Sequence, residues 1–300
     1  VPTFRVAQSQ IELHQGDCLE LLPALPEASV DVVVTSPPYN IGVRYGAYDD
    51  TGLSRQEYLD WLAGWALQVR RVLKPDGSLF LNLGSKPTDP WVPFEVVTRL
   101  KEILALQNAI HWIKSIAIEK AFVGEGAGLP EDLTVGHYKP INSNRFLNDC
   151  HEYVFHLTHR GDVGLDRLAV GVPYQDKSNL RRWSAAASDR HCRGNTWFIP
   201  YRTIQSRRSD RPHPASFPVE LARKCILLHG ARPGLKVMDP FLGIGHSALA
   251  AIQAGTDFLG CELDPEYFEV ACRAVQEAVP SPRTEAAPPH EAQATQMELF

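Results

Sequence analysis

The segment VMDPFLGIGHSALAAIQAG, residues 237–255, constrains the fold of this 300-residue chain more than any other stretch. A short apolar run meets a turn carrying Gly243 and Gly245, then passes into a helical pattern that Gly255 ends. The glycines let the backbone run close to a ligand, and the helix start offers unpaired N–H groups. Glu262, in FLGCELD, stands at the end of the next apolar run, 19 residues after Gly243. A carboxylate there can take both hydroxyls of a ribose. Taken alone, the turn leaves several readings open. Gly243, Gly245 and Ala248 also fit the dinucleotide fingerprint of a nicotinamide-dependent oxidoreductase, and two glycines can serve packing alone.

Seven runs rich in β-branched and apolar residues read as strands, at 11–14, 30–35, 78–83, 110–116, 152–157, 236–239 and 257–261. Residues 57–73 place Tyr58, Leu62, Trp65, Ala66, Val69 and Leu73 on one helical face and stop at Lys74-Pro75-Asp76-Gly77. Residues 218–229 and 247–254 are also helix-like, with Gly230 and Gly255 placed as C-terminal caps. Alternating strands and helices predict an α/β fold, a parallel-rich sheet with helices on both faces. Residues 161–211 break that rhythm: they are Arg-rich and irregular, hold Trp183 and Trp197, and read as an insert. Beyond about residue 279, Pro, Ala, Glu and Ser dominate, which predicts a disordered tail.

The net charge of −5 hides a contrast. Residues 160–211 hold eleven Lys and Arg against five Asp and no Glu, a local +6 on a body that carries −11. Such a basic segment on an acidic body is an electrostatic footprint for nucleic acid. The six cysteines are scattered with no C-x-x-C pair, which suits reduced thiols in a cytoplasmic protein. His151, His156 and His159 do not read as a metal site. Paired cysteines are absent, and His151 and His159 share a strand face only on an unusually long strand. No run approaches the ~18 apolar residues that span a bilayer.

VDVVVTSPPYN, residues 30–40, ends an apolar run on two prolines and a tyrosine. Together with DPFLGIG it resembles the S-adenosylmethionine-dependent DNA amino-methyltransferases. In that family a [DNS]-P-P-[YFW] catalytic loop partners an F-x-G-x-G cofactor loop. The catalytic loop comes first here, similar to the permuted β class. The resemblance spans residues 10–274 and includes QGDCLELL, VLKPDGSLFLNLG, HEYVFHLTH, GNTWFIP and HPASFPVELARKCI in family order.

The resemblance implies a Rossmann-like, circularly permuted, seven-stranded and mostly parallel sheet, with S-adenosylmethionine at the C-terminal strand ends. It divides the chain into a catalytic half (1–159), a target-recognition insert (160–211), a cofactor-binding half (212–278) and a tail (279–300). The methionine end of the cofactor is expected against Phe241, Gly243 and Gly245, its ribose on Glu262, and its adenine amine on Asp17. Cys18 and Leu263 are expected beside the adenine ring, and Ser216 and Phe217 near the methionine carboxylate. Asp239 belongs to the same implied set.

The opening loop suits chemistry on an exocyclic amine, whose lone pair is delocalised into its ring. Acceptors aimed at the two amine hydrogens draw the nitrogen towards a tetrahedral shape and free that pair. Ser36 Oγ and the Pro37 carbonyl are the two expected acceptors, and Pro37 and Pro38 restrict the loop that carries them. Tyr39 offers a face for stacking a base flipped out of the duplex. Serine at the first motif position resembles the N4-cytosine enzymes, while aspartate is usual among N6-adenine enzymes. N4-cytosine is therefore favoured.

In the family the target-recognition region falls where the Arg-rich segment lies. Arg181, Arg182, Arg193, Arg207 and Arg208 are thus expected on duplex DNA, gripping phosphates or reading guanine edges. Family members occur as monomers and dimers, so a homodimer is allowed, as is pairing with a restriction endonuclease. The resemblance also places the protein on the bacterial nucleoid. The terminal QMELF resembles the Q-x-x-L-F peptide that docks bacterial replication proteins on the sliding clamp. Gln296, Leu299 and Phe300 are the expected contacts.

Overall fold

Val30–Thr35 forms strand β3, buried along its whole length, which requires cover on both faces of its sheet. The computed structural model describes residues 1–43, 50, 52–123, 129–136, 142–174, 177, 189–200 and 216–279. Strand β3 lies between β10 (Lys236–Asp239) and β4 (Leu73–Leu83), parallel to both. Outwards from β10 come β11 (Asp257–Glu262), β2 (Ser9–Gln15) and β1 (Thr3–Val6). Outwards from β4 come β8 (His151–Thr158), β5 (Ala105–Ile113) and β9 (Thr196–Phe198). Pairing is antiparallel at β1–β2, β4–β8 and β8–β5, and parallel elsewhere.

All seven expected runs form strands, but the sheet has nine, which corrects the seven-stranded expectation. The additions, β1 and β9, are the two outermost strands, of 4 and 3 residues. Each is too short to show a period of its own and exists through pairing with one neighbour. Strand β9 lies inside the Arg-rich segment, and its Trp197 is buried. The run expected at 110–116 divides at Lys114 into β5 and β6 (Ser115–Ile118). Beyond a single turn, α4 (Lys120–Val123), β6 pairs with β7 (Leu133–Gly136) in a small hairpin.

Alternate residues of the central strands face opposite layers, as a period of two demands. Val33, Leu79, Leu81, Met238 and Leu259 pack with helices α1 (Cys18–Ala24), α2 (Arg55–Val72) and α3 (Val92–Leu100). Val32, Val34, Phe80, Val237 and Phe258 pack with α5 (Val219–His229), α6 (His246–Ala254) and α7 (Pro265–Ala278). The expected helical face of α2 is buried, and each large side chain on it contributes roughly 1.5–3 kcal/mol. A capping box, Ser54 with Glu57, starts α2 ahead of the expected position. At its other end Leu73 pairs with Val30, and Ser78 with Val32. Residues 74–77 therefore bulge within β4. Gly230 and Gly255 cap α5 and α6 in the left-handed region, at φ 103° and 68°.

Polar ties hold the end of the sheet where β3 begins. Asp31, 2% exposed, bonds Lys74 Nζ (2.8 Å), Arg232 Nη2 (3.3 Å) and the Lys236 N–H (2.9 Å), joining β3 to β4 and β10. His156 is fully buried, with Nδ1 3.0 Å from Asn108 Nδ2 and Nε2 2.9 Å from Ser78 Oγ. His229 Nδ1 meets the same hydroxyl at 2.9 Å. Burial, aided by His229, pushes His156 down to about 4. Among the described residues no helix is long and apolar enough to cross a membrane, and no cluster of His, Cys, Asp and Glu could hold a metal ion.

Candidate active site

Because β3 and β10 are adjacent and parallel, the loops at their C-terminal ends emerge side by side, although 204 residues separate Thr35 from Asp239. A cleft opens between them. Ser36 and Pro38 line it from the first loop, and Phe241 and Gly243 from the second. Asp17 and Cys18 join from the end of β2, Glu262 and Leu263 from the end of β11, and Ser216 and Phe217 from the segment before α5. The structure thus brings together ten of the residues expected from the sequence.

Asp239 does not line the cleft. It is fully buried and accepts hydrogen bonds from Thr35 Oγ1 (2.6 Å), Ser247 Oγ (2.6 Å) and the Phe241 N–H (3.0 Å). One carboxyl group therefore ties the end of the catalytic strand to the cofactor loop and to helix α6. Burial pushes it up to about 6, against the pull of those three donors.

Glu262 stands at the cleft wall. Its Oε2 accepts the Gly243 N–H (2.7 Å) and its Oε1 the Asp264 N–H (2.9 Å), while burial raises its pKa. Asp17 caps α1, accepting the Leu19 N–H at 2.8 Å. The left-handed turn explains its glycines, with φ 56° at Gly243 and 89° at Gly245. A Cβ on Gly245 would stand 3.1 Å from Ala271 Cα. These groups fit S-adenosylmethionine. Oriented carboxylates suit ribose hydroxyls and an adenine amine, and Phe241, Leu263, Ile244 and Phe217 give apolar walls.

The catalytic loop is braced from three directions. Tyr58 of α2 donates to the Pro38 carbonyl (2.8 Å). Asn40 adopts φ 57° and bonds the backbone carbonyls of Asp50 (2.8 Å) and Leu53 (2.9 Å), while Arg55 Nε holds its Oδ1 at 3.1 Å. Ser36 Oγ lies 2.7 Å from the Tyr39 hydroxyl, which also lies 3.2 Å from Glu152 Oε2. Asn82 Nδ2 donates to the Tyr39 hydroxyl and to Glu152 Oε2, both at 2.7 Å, and Lys114 Nζ pairs with Glu152 Oε1 at 3.1 Å. Tyr39 is only 7% exposed. Its hydroxyl orients Ser36, a task the sequence did not suggest, and stacking on its ring would need the ring to turn outward.

Trp61, His246, Asp264 and Tyr267 also line the cleft and were not foreseen. Asp264 had a local signal, Asp-Pro at a helix start, and it caps α7 by accepting from the N–H groups of Glu266 and Tyr267. His246 donates from Nδ1 to the Phe217 carbonyl (2.7 Å), fastening the Ser216–Phe217 segment to α6. His151 stacks edge-on against Tyr153, and His159 Nε2 meets the Leu73 carbonyl at 3.1 Å, so the three histidines of HEYVFHLTH serve separate partners. Arg193 Nε donates to the Val170 carbonyl (2.9 Å). Arg181, Arg182, Arg207, Arg208, Gln296, Leu299 and Phe300 lie outside the described residues.

Residues 30–273 match the family model described as DNA methylase. The chain is 30% identical over 285 residues to the type II methyltransferase M.Cfr9I of Citrobacter freundii, covering 88% of this chain and 87% of that protein. It is 25% identical over 273 residues to the DNA adenine methyltransferase YhdJ of Escherichia coli K12, covering 91% and 84%. Among solved structures, the cytosine-N4-specific PvuII DNA methyltransferase superposes with a TM-score of 0.62 at 22% identity, covering 90% and 89%. A DNA modification methylase of Thermus thermophilus, solved with S-adenosylmethionine, gives 0.55 at 25% identity, covering 90% and 94%.

Proposed function

Given that the chain belongs to the DNA methylase family, whose members methylate amino nitrogens of DNA bases with S-adenosylmethionine, we propose that its acceptor is the N4 amine of cytosine. The target sits at a specific duplex site, and the enzyme is the protective half of a type II restriction–modification pair. The observation that carries this reading is Ser36 Oγ, at the cleft wall beside the Gly-rich loop and held there by Tyr39 and Asn82. Serine at that position favours cytosine. The nicotinamide reading of the Gly-rich turn has no place in this family.

Bound S-adenosylmethionine supplies an electrophilic methyl on a sulfonium. The residues of this chain orient the amine towards it. Ser36 donates its hydroxyl hydrogen to the Tyr39 oxygen, and Tyr39 donates to Glu152 Oε2, so the chain of hydrogen bonds ends on a carboxylate. The Ser36 lone pairs then face the cleft and accept one amine hydrogen, with the Pro37 carbonyl taking the other. The nitrogen lone pair is freed for in-line attack, and rate comes from positioning and electrostatics. After transfer the nitrogen releases its surplus proton to solvent. Arginines of the segment 160–211 supply phosphate and base contacts to the duplex.

Incubation with labelled S-adenosylmethionine and mixed-sequence duplex DNA, digestion to nucleosides and mass spectrometry test the base assignment. N4-methylcytosine is the expected product, and N6-methyladenine without methylcytosine overturns it. A second measurement tests the role of Tyr39. Tyr39→Phe keeps a stacking face but removes the hydroxyl, and it should lower kcat about 10-fold, the loss of one oriented hydrogen bond. Unchanged turnover would return Tyr39 to stacking alone.

A further inference from the structure

Trp61 is a cleft residue to which neither the catalytic hydrogen-bond chain nor the cofactor motifs assign a task. It lies on α2, half-buried, and shares the cleft wall with Ser36, Pro38 and Phe241. Its ring centroid is 5.8 Å from that of Phe241, tilted by 53°, and 6.1 Å from that of Tyr58, stacked at 26°. Phe241 belongs to the cofactor loop, and Tyr58 holds the Pro38 carbonyl of the catalytic loop. Trp61 therefore stands in the seam between the loop that holds the methyl donor and the loop that holds the acceptor.

The methyl crosses this seam. Before transfer it is carried on a sulfonium cation, and after transfer the same sulfur is a neutral thioether. The face of an indole attracts a cation through the ring quadrupole, more strongly than a phenyl or phenol ring, and the attraction grows where water is excluded. We infer that Trp61 contacts the sulfonium end of S-adenosylmethionine and makes the cleft prefer the charged donor over its neutral product, S-adenosylhomocysteine. The cleft carboxylates Asp17, Glu262 and Asp264 also favour a cation, so a test must leave them in place and alter only the ring. This inference rests on the cofactor assignment but not on which base is methylated.

Calorimetric titration of the full chain with S-adenosylmethionine and, separately, S-adenosylhomocysteine provides that test without any DNA. In Trp61→Leu the donor should bind about 10-fold more weakly, as loss of a partly desolvated cation–π contact predicts. The product should bind at most about 2-fold more weakly, since it loses only apolar contact. Trp61→Phe, which keeps a ring, should restore most of the preference for the donor. Equal losses for both ligands would reduce Trp61 to an apolar wall and overturn the inference, as would unchanged affinity for both. Thermal unfolding shows whether each variant is folded. If Trp61→Leu is not, Trp61→Gln, suited to a half-exposed helical position, replaces it in the same comparison. Wild-type protein that binds neither ligand would remove the cofactor assignment, and this inference with it.

Discussion

Two buried aspartates, one at each end of the central parallel strands, are partnered in opposite ways. Asp31, where β3 begins, meets two cationic side chains and a backbone N–H. Asp239, where β10 ends, meets two hydroxyls and a backbone N–H, with no cation among these partners. The first arrangement stabilises a charge and fastens three strands. The second leaves a carboxyl group whose pKa is pushed up to about 6 by burial, and it fastens the two loops that line the cleft. One end of the sheet is built to hold the fold, the other to hold a geometry at some cost in stability.

The largest expected effect lies at the cleft end. Ser36→Ala should lower kcat by about 10²–10³, the usual loss for one preorganised polar group, with cofactor affinity within about 2-fold of wild type. Single-turnover methyl transfer and calorimetry measure the two. A parallel loss of cofactor binding would place Ser36 in the cofactor site instead.

Acid stability separates the two ends by sign. Below pH 6.5 the unfolded chain protonates His156 while the folded chain resists, so stability falls as pH drops towards about 4. Between the ordinary aspartate value of 3.8 and about 6, folded Asp239 keeps a proton that the unfolded chain releases, so its contribution changes in the opposite direction. Each is worth about 3 kcal/mol at its limit, and the two nearly cancel across their shared window. Asp239→Asn removes one of them, so urea titrations of the variant should lose about 3 kcal/mol more than wild type between pH 6.5 and 4. Identical acid slopes would break the contrast.

The smallest expected effect is at Asp31. Asp31→Ala should cost about 2–3 kcal/mol in urea unfolding at pH 7, since it strands a backbone N–H and two partly solvated cations. Cofactor affinity of the folded fraction should stay unchanged. A fall in that affinity would mean that the two ends are not separate.

The difference between the ends also explains what could be seen beforehand. The cofactor turn and the catalytic loop are local: glycines at left-handed positions, prolines after a strand and a carboxylate at a strand end each leave a mark within a few residues. The support of Ser36 left none. Asn82, Lys114 and Glu152 come from β4, from the residue after β5 and from β8, and only strand pairing brings them to Tyr39. Trp61 carries no signal either, since whether it joins the core or the cleft depends on how α2 docks. The edge strands β1 and β9 exist through their neighbours.

The sequence by itself determined the seven inner strands, the helix face of α2, the glycine caps, the family and the two loops that meet at the cleft. These follow from period, turn chemistry and motif, which act over short stretches of chain. Tertiary structure decided that Asp239 is a tie and not a cofactor ligand, that Tyr39 turns its hydroxyl inward to Ser36, and that Trp61 stands between the loops. The physical reason is the same in each case. The task of a polar or aromatic side chain is set by which partners the fold brings within hydrogen-bonding or ring-contact distance, and here those partners come from strands and helices far apart in the chain.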